Sequence, residues 1–64
     1  MTKKRRGNHI FKTWSGDHGP LNVHVYRDGR LVVIFDLEYR RPVKGRLSRQ
    51  ILRLIKELEK EGLL

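Results

Sequence analysis

The dipeptide Asp28-Gly29, placed between two apolar segments, constrains the fold of this chain more than any other feature of its sequence. Residues 21–27 alternate apolar and polar side chains, and residues 30–37 form a nearly continuous apolar run. Both patterns are typical of short β-strands. Asp-Gly is typical of two-residue hairpin loops, in which both central residues need positive φ. The sequence therefore predicts an antiparallel β-hairpin that turns at residues 28 and 29.

A two-residue loop also predicts the register of this hairpin. It pairs Val25 with Val32 and Val23 with Ile34, and paired residues lie on the same face of a sheet. That face is aliphatic and needs an apolar partner. The opposite face is expected to mix aromatic, polar and apolar side chains, namely Asn22, His24, Tyr26, Leu31, Val33 and Phe35.

The C-terminal residues are expected to supply the partner as a helix, capped by Ser48 and ending just before Gly62. Between these residues, four aliphatic side chains follow the i, i+3, i+4, i+7 spacing of one buried helix stripe. The stripe consists of Ile51, Leu54, Ile55 and Leu58. Nearly opposite it lies a helix ridge of four cations, Arg49, Arg53, Lys56 and Lys60.

The remaining segments complete the expected fold. Residues 9–14 are rich in β-branched and aromatic side chains, which predicts a strand. Residues 16–20 contain two glycines and a proline and predict a loop, and residues 42–44 predict a short edge strand because proline cannot donate to a ladder. Residues 1–7 read as a basic N-terminal arm or as the lead-in to a first strand. We therefore expect an α+β fold in a single domain of residues 1–64: a small antiparallel sheet of three to four strands, with one C-terminal helix packed on one face.

The composition excludes several classes of protein. There are no cysteines, so the chain has no disulfide framework and no Cys-ligated zinc site. No apolar run approaches the roughly 20 residues of a membrane span, and the N-terminus lacks the apolar core of a secretory signal. We expect a soluble, cytoplasmic protein with no cofactor. We also expect no bound metal, because a site at His18 and His24 needs a third ligand and Asp17 is the only candidate nearby.

The charge of the chain is strongly basic and unevenly distributed. Fifteen Lys and Arg residues oppose seven Asp and Glu residues, for a net charge of +8. Residues 1–12 and residues 39–49 each hold five cations and no acid. Such clustering favours a polyanionic partner, because each neutralised phosphate releases counterions. An acidic protein partner and simple solubility are the alternatives.

The basic blocks and the mixed face of the hairpin define a candidate nucleic-acid site. The cations would capture the phosphate backbone, and aromatic side chains with His24 would offer a contact surface on the open sheet face. The predicted binding residues are Lys3, Lys4, Arg5, Arg6, Arg40, Arg41, Lys44, Arg46, Tyr26 and Phe35.

A second candidate site is catalytic. His18 lies in the glycine-rich loop and His24 in the following strand, so their imidazoles could approach one another. Two groups that titrate near neutral pH are what RNA cleavage by general acid–base catalysis requires, and Asp17 would orient one of them. Asn22 weighs against this chemistry, because an amide cannot carry the proton. Histidines that only line a surface are the simpler interpretation.

A longer pattern resembles a family of small uncharacterised prokaryotic domains. Its members share a short strand, an Asp-His-x-Pro-Pro-His-x-His motif, a hairpin ending near Asp-Leu, a segment with Val, Gly and Leu, and a C-terminal helix. From Ile10 onward this chain follows the pattern, with Leu21 and Asn22 replacing the second proline and the middle histidine. The matching residues are Asp17, His18, Pro20, His24, residues 35–37 and residues 43–47. The resemblance implies a gene pair of toxin–antitoxin type.

The charge and the mixed sheet face predict a small basic nucleic-acid-binding protein with RNA as its partner, and the resemblance implies that it is of toxin–antitoxin type. One alternative is an endoribonuclease toxin that uses the histidine pair. Another is a protein-interaction module that binds an antitoxin, or a second copy of the chain, through the open sheet face. That face is expected to leave Leu31, Val33 and Phe35 partly uncovered, which favours association.

Overall fold

The computed structural model describes residues 2–13 and 22–64 as five strands and one helix. The strands form one antiparallel sheet in the order β1-β2-β3-β4-β5, and the helix α1 follows the last strand. The elements are β1 (Thr2–Arg6), β2 (His9–Thr13), β3 (Asn22–Arg27), β4 (Arg30–Asp36), β5 (Arg41–Gly45) and α1 (Arg49–Lys60). The α+β class and the C-terminal helix are confirmed, and the sheet has one strand more than the three to four predicted.

The additional strand is β1, which the sequence left open as an arm or the lead-in to a strand. It pairs with β2 along its whole length and places Lys4 opposite Phe11 and Arg6 opposite His9. Lys and Arg side chains are typical of edge strands, since their charge discourages pairing with another sheet. The N-terminal basic residues are therefore fixed in position by backbone pairing with β2.

The predicted hairpin is confirmed, but its register differs from the prediction. Asp28 and Gly29 both have positive φ, at 54° and 77°, as the two-residue turn requires. A β-bulge then adds one residue to β4, so that Val25 pairs with Val33 and Val23 with Phe35. The predicted pairs Val25–Val32 and Val23–Ile34 are wrong for this reason. Beyond the bulge, a shift of one residue exchanges the two faces of β4.

The core lies between α1 and the face of the sheet that holds the buried residues of β2, β3 and β4. The helix contributes the predicted stripe, and the sheet contributes one phenylalanine from β2, two valines from β3, and a valine and a phenylalanine from β4. The core residues are Phe11, Val23, Val25, Val33, Phe35, Ile51, Leu54, Ile55 and Leu58. Val32, which is the extra residue of the bulge, is half-buried against this cluster.

Both ends of α1 form as the sequence predicts. The Ser48 side chain accepts a hydrogen bond from the Ile51 backbone N–H at 3.1 Å, which caps the N-terminus. At the other end Gly62 has a φ of 77°, and the Leu63 N–H donates to the Leu58 carbonyl at 2.8 Å. This is the Schellman arrangement, which glycine favours because it has no Cβ. No helix in the described part of the chain has the length and apolar composition needed to cross a membrane.

The observed register can be tested with two substitutions of the same chemistry. Ile55→Ala removes a fully buried side chain and should lower the free energy of unfolding by about 2–5 kcal/mol. Ile34→Ala removes an equal side chain that is only half-buried on the opposite face, and it should cost clearly less. Urea unfolding followed by circular dichroism measures both changes. A destabilisation by Ile34→Ala as large as that by Ile55→Ala would restore the predicted register.

Candidate nucleic-acid interface

The sheet face opposite α1 is the open face, because no described helix or strand packs over it. Residues paired across neighbouring strands lie on the same face, so the pairing assigns its members. One line of paired residues crosses all five strands, and we call it the lysine row. It consists of Lys3, Lys12, His24, Ile34 and Lys44.

A second line of paired residues, called the apolar row, lies two positions from the lysine row on β1, β2 and β3, and three positions from it on β4, where the bulge adds Val32. It consists of Arg5, Ile10, Tyr26 and Leu31. Ile10 and Tyr26 are half-buried, and Leu31 is 40% exposed. The Lys12 Nζ lies 4.9 Å from the centroid of the Tyr26 ring, a cation–π contact between the two rows.

The carboxylate of Asp36 also lies on the open face, where Asp36 pairs with Asn22 and Arg41. One of its oxygens accepts hydrogen bonds from the Glu38 and Tyr39 backbone N–H groups, at 2.8 and 3.0 Å. Asp36 therefore stabilises the turn before β5. No described ion pair includes any of the five cations of this face, which are Lys3, Arg5, Lys12, Arg41 and Lys44.

Two of the predicted binding residues, Arg6 and Arg40, instead connect the sheet to the helix. Arg6 donates two hydrogen bonds to the Glu61 carboxylate, one of 2.6 Å, and lies 3.7 Å from Glu57. Arg40 donates to Glu59 at 2.9 Å. The hydrogen bond from Arg6 holds the pKa of the Glu61 carboxyl below its usual range. These contacts neutralise both arginines within the protein.

The other predicted binding residues divide by face. Phe35 is fully buried in the core, so the expectation that it lies on the open face is wrong; the bulge in β4 turned it inward. Lys4 pairs with buried Phe11 and lies on the helix side of the sheet, half-buried. Arg46 is exposed in the segment between β5 and α1.

The structure also places on the open face two residues that the predicted site does not include. Lys12 lies directly opposite Lys3, and Ile10 lies beside Tyr26. Lys12 could have been found by treating the N-terminal arm as a strand paired with β2, and Ile10 by pairing the predicted strand of residues 9–14 with β3. Tyr39 is also exposed, at 65%, but it lies in the turn before β5 and belongs to neither row of the open face; the Arg41 guanidinium lies 5.6 Å from its ring centroid.

The predicted catalytic residues are only partly described. Asp17 and His18 lie outside the described residues, so the proposed histidine pair stays a prediction. His24 is half-buried on the open face, between Lys12 and Ile34. Residues 2–13 and 22–64 enclose no pocket and contain no group of three side chains that could hold a metal ion.

The remaining histidine, His9, is a core residue on the helix side of the sheet. Its side chain is 3% exposed, its ring lies 6.2 Å from that of Phe11, and its Nδ1 has no hydrogen-bond partner among the described residues. Arg6 and Arg27 are its cross-strand neighbours. Burial lowers the pKa of His9 and the charge of Arg27 lowers it further, while Asp28 acts in the opposite direction. The surroundings of His9 therefore favour the neutral form of its imidazole in the folded protein.

Comparison with protein-family models, with curated proteins and with solved structures found no match to this chain.

The environment of His9 predicts an acid-sensitive fold. The folded pKa of His9 lies below the unfolded value of about 6.5. Its contribution to the free energy of unfolding is therefore complete above pH 6.5 and is lost as the pH falls towards the lower folded value. Unfolding by urea should require less denaturant at pH 5 than at pH 7. His9→Leu should reduce that difference, and the control Thr13→Val, which changes the other buried polar side chain of β2, should retain it. An unchanged pH dependence in His9→Leu would contradict the assignment.

The contact between Arg6 and Glu61 predicts that neighbouring arginines of β1 have different roles. Arg6→Gln should lower the melting temperature modestly at neutral pH, because it removes the contact between the sheet edge and the helix. The difference from wild type should vanish as the pH falls through the lowered pKa of Glu61. Arg5→Gln is the matched control, on the exposed side of the same strand. Equal decreases in the two variants would show that the contact does not stabilise the fold.

Proposed function

We propose that this protein binds RNA through the open face of its sheet. The observation that supports this most directly is the charge of that face among the described residues. Its five cations form no ion pair there, and its single carboxylate is occupied by two backbone N–H groups. A surface with unneutralised cations attracts a polyanion and releases counterions when it binds one.

The placement of Lys3 opposite Lys12 supports the same proposal. Like charges in directly opposite positions on a sheet repel each other and destabilise the fold. A bound phosphate would remove that repulsion, so binding relieves a destabilisation that is present in the free protein. The exposed apolar and aromatic side chains beside these lysines favour nucleic acid over a simple anion, because bases offer a surface to contact.

The proposal includes a cellular setting. We propose a cytoplasmic location and a gene pair of toxin–antitoxin type. The gene pair is supported by the resemblance of residues 17–24 to the motif of that family. An antitoxin or a second copy of the chain would compete with RNA for the open face, since Leu31 is exposed there and Ile10 and Ile34 are only half-buried.

The binding test compares two variants that remove the same charge on opposite sides of the molecule. Lys3→Gln/Lys12→Gln/Lys44→Gln changes the open face, and Arg49→Gln/Arg53→Gln/Lys56→Gln changes the exposed helix ridge. Fluorescence anisotropy with a labelled unstructured RNA gives the affinity between about 50 and about 200 mM salt. The open-face variant should flatten the slope of log affinity against log salt by about 2, because each phosphate that the protein neutralises adds about 0.7 to that slope.

The helix-ridge variant should keep most of the wild-type slope. Equal flattening in both variants would mean that the RNA responds only to net charge, and a larger effect in the helix-ridge variant would place the RNA on the helix; either result contradicts the proposal. Single-stranded DNA of the same sequence is a parallel arm that tests the preference for RNA. Gel analysis of the recovered RNA separates binding from cleavage.

A further inference from the structure

The two rows of the open face differ in chemistry, although the apolar row ends in the cation Arg5 and the lysine row includes the apolar Ile34. The lysine row holds three ammonium groups, from Lys3, Lys12 and Lys44. In the apolar row, by contrast, the three strands β2, β3 and β4 contribute Ile10, Tyr26 and Leu31 in succession. One row is suited to bind phosphates, and the other is suited to contact bases.

The dimensions of the sheet match this division. The strands are about 4.8 Å apart, so Lys3 and Lys44 lie at the ends of a line of about 19 Å across the four strand intervals. The rows are two residues apart along β1, β2 and β3, which is about 7 Å, and the bulge gives β4 one extra residue between them. A single nucleotide strand that crosses the sheet can therefore follow one row with its backbone and contact the other with its bases.

We infer that single-stranded RNA crosses the strands of the sheet, with its phosphates along the lysine row and its bases on Ile10, Tyr26 and Leu31. This inference rests on the proposed function. It adds that the RNA is single-stranded and that it runs across the strands of the sheet. The footprint is about four nucleotides, at the short end of known single-strand sites. Contacts to ring faces and apolar surface are tolerant of sequence, so the site discriminates weakly among bases.

The contact between Lys12 and Tyr26 joins the two functions. In the free protein the ammonium lies 4.9 Å from the ring centroid. When an RNA base stacks on the Tyr26 ring, it displaces the Lys12 ammonium towards the RNA backbone. There a phosphate replaces the contact with the ring. Duplex RNA cannot use this arrangement, because its bases are stacked inside the helix.

The test uses three probes of equal length: an unstructured RNA, the same sugar–phosphate strand without bases, and a duplex. Wild-type protein should bind the RNA more tightly than the abasic strand or the duplex, measured by fluorescence anisotropy at one salt concentration. Tyr26→Leu should weaken RNA binding by about 5- to 150-fold, the range expected for removal of one base stack, and leave the abasic strand unaffected. Lys12→Gln should weaken binding of both single-stranded probes.

Two controls keep the result interpretable. Tyr26→Phe retains the ring and should retain RNA binding, and Tyr39→Leu removes an exposed aromatic side chain from the turn before β5 and should have no effect. If Tyr26→Leu fails to fold, the wild-type comparison of RNA with the abasic strand decides alone. Equal affinity for those two probes, tighter duplex binding, or an effect of Tyr39→Leu in place of Tyr26→Leu would overturn the inference. No binding of any probe would instead reject the proposed function.

Discussion

The burial of one aliphatic helix stripe against one face of the sheet is the interaction on which the rest of the structure depends. A chain of 64 residues can build only one core, and here that core lies entirely between α1 and the inner residues of β2, β3 and β4. Because a single helix covers a single face, the other face keeps half-buried side chains such as Ile10 and Tyr26 near solvent. The open face is thus a consequence of how the core is made.

The ion pairs between the sheet and the helix follow from the packing of α1 on one face of the sheet. They affect the charge of the helix side and of the open face. The carboxylates of Glu59 and Glu61 lie near the C-terminal end of α1, where Arg40 and Arg6 reach them from the two ends of the sheet. Exposed ion pairs of this kind contribute little stability individually. Their larger effect is on the distribution of charge, since they place acids beside arginines on the helix side. The cations of the open face remain without such partners among the described residues.

The features that the sequence predicted correctly are those set by local rules. Asp28 and Gly29 specify a turn by their backbone preferences, and the aliphatic stripe of α1 and its Ser48 cap depend on residues close in sequence. The positions of Val33 and Phe35 were missed because a bulge depends on which side chains fill the core best. Strand β1 was left undecided because a basic segment is ordered only through pairing with β2, a contact that composition does not encode.

These two non-local features also account for the errors in the candidate site. Turning Phe35 inward removed one expected contact residue from the open face. Fixing the N-terminal residues as a strand sorted them by alternation, with Lys3 and Arg5 on the open face and Lys4 and Arg6 on the helix side. The predicted binding set therefore named the clustered cations without the face on which each one lies, and their role in binding stays a prediction. Clustered charge is visible in a sequence, whereas the face on which each charge lies requires the register.

The central claim is that nucleic acid binds the open face and not the helix ridge. Titrating unstructured single-stranded RNA into ¹⁵N-labelled protein, and following backbone amide shifts by NMR, tests this claim most directly. We predict that the largest shifts occur at Lys3, Lys12, Tyr26 and Lys44, with little change at Arg53 and Lys56. Shifts concentrated on α1, or spread evenly over the exposed cations of both faces, would contradict it.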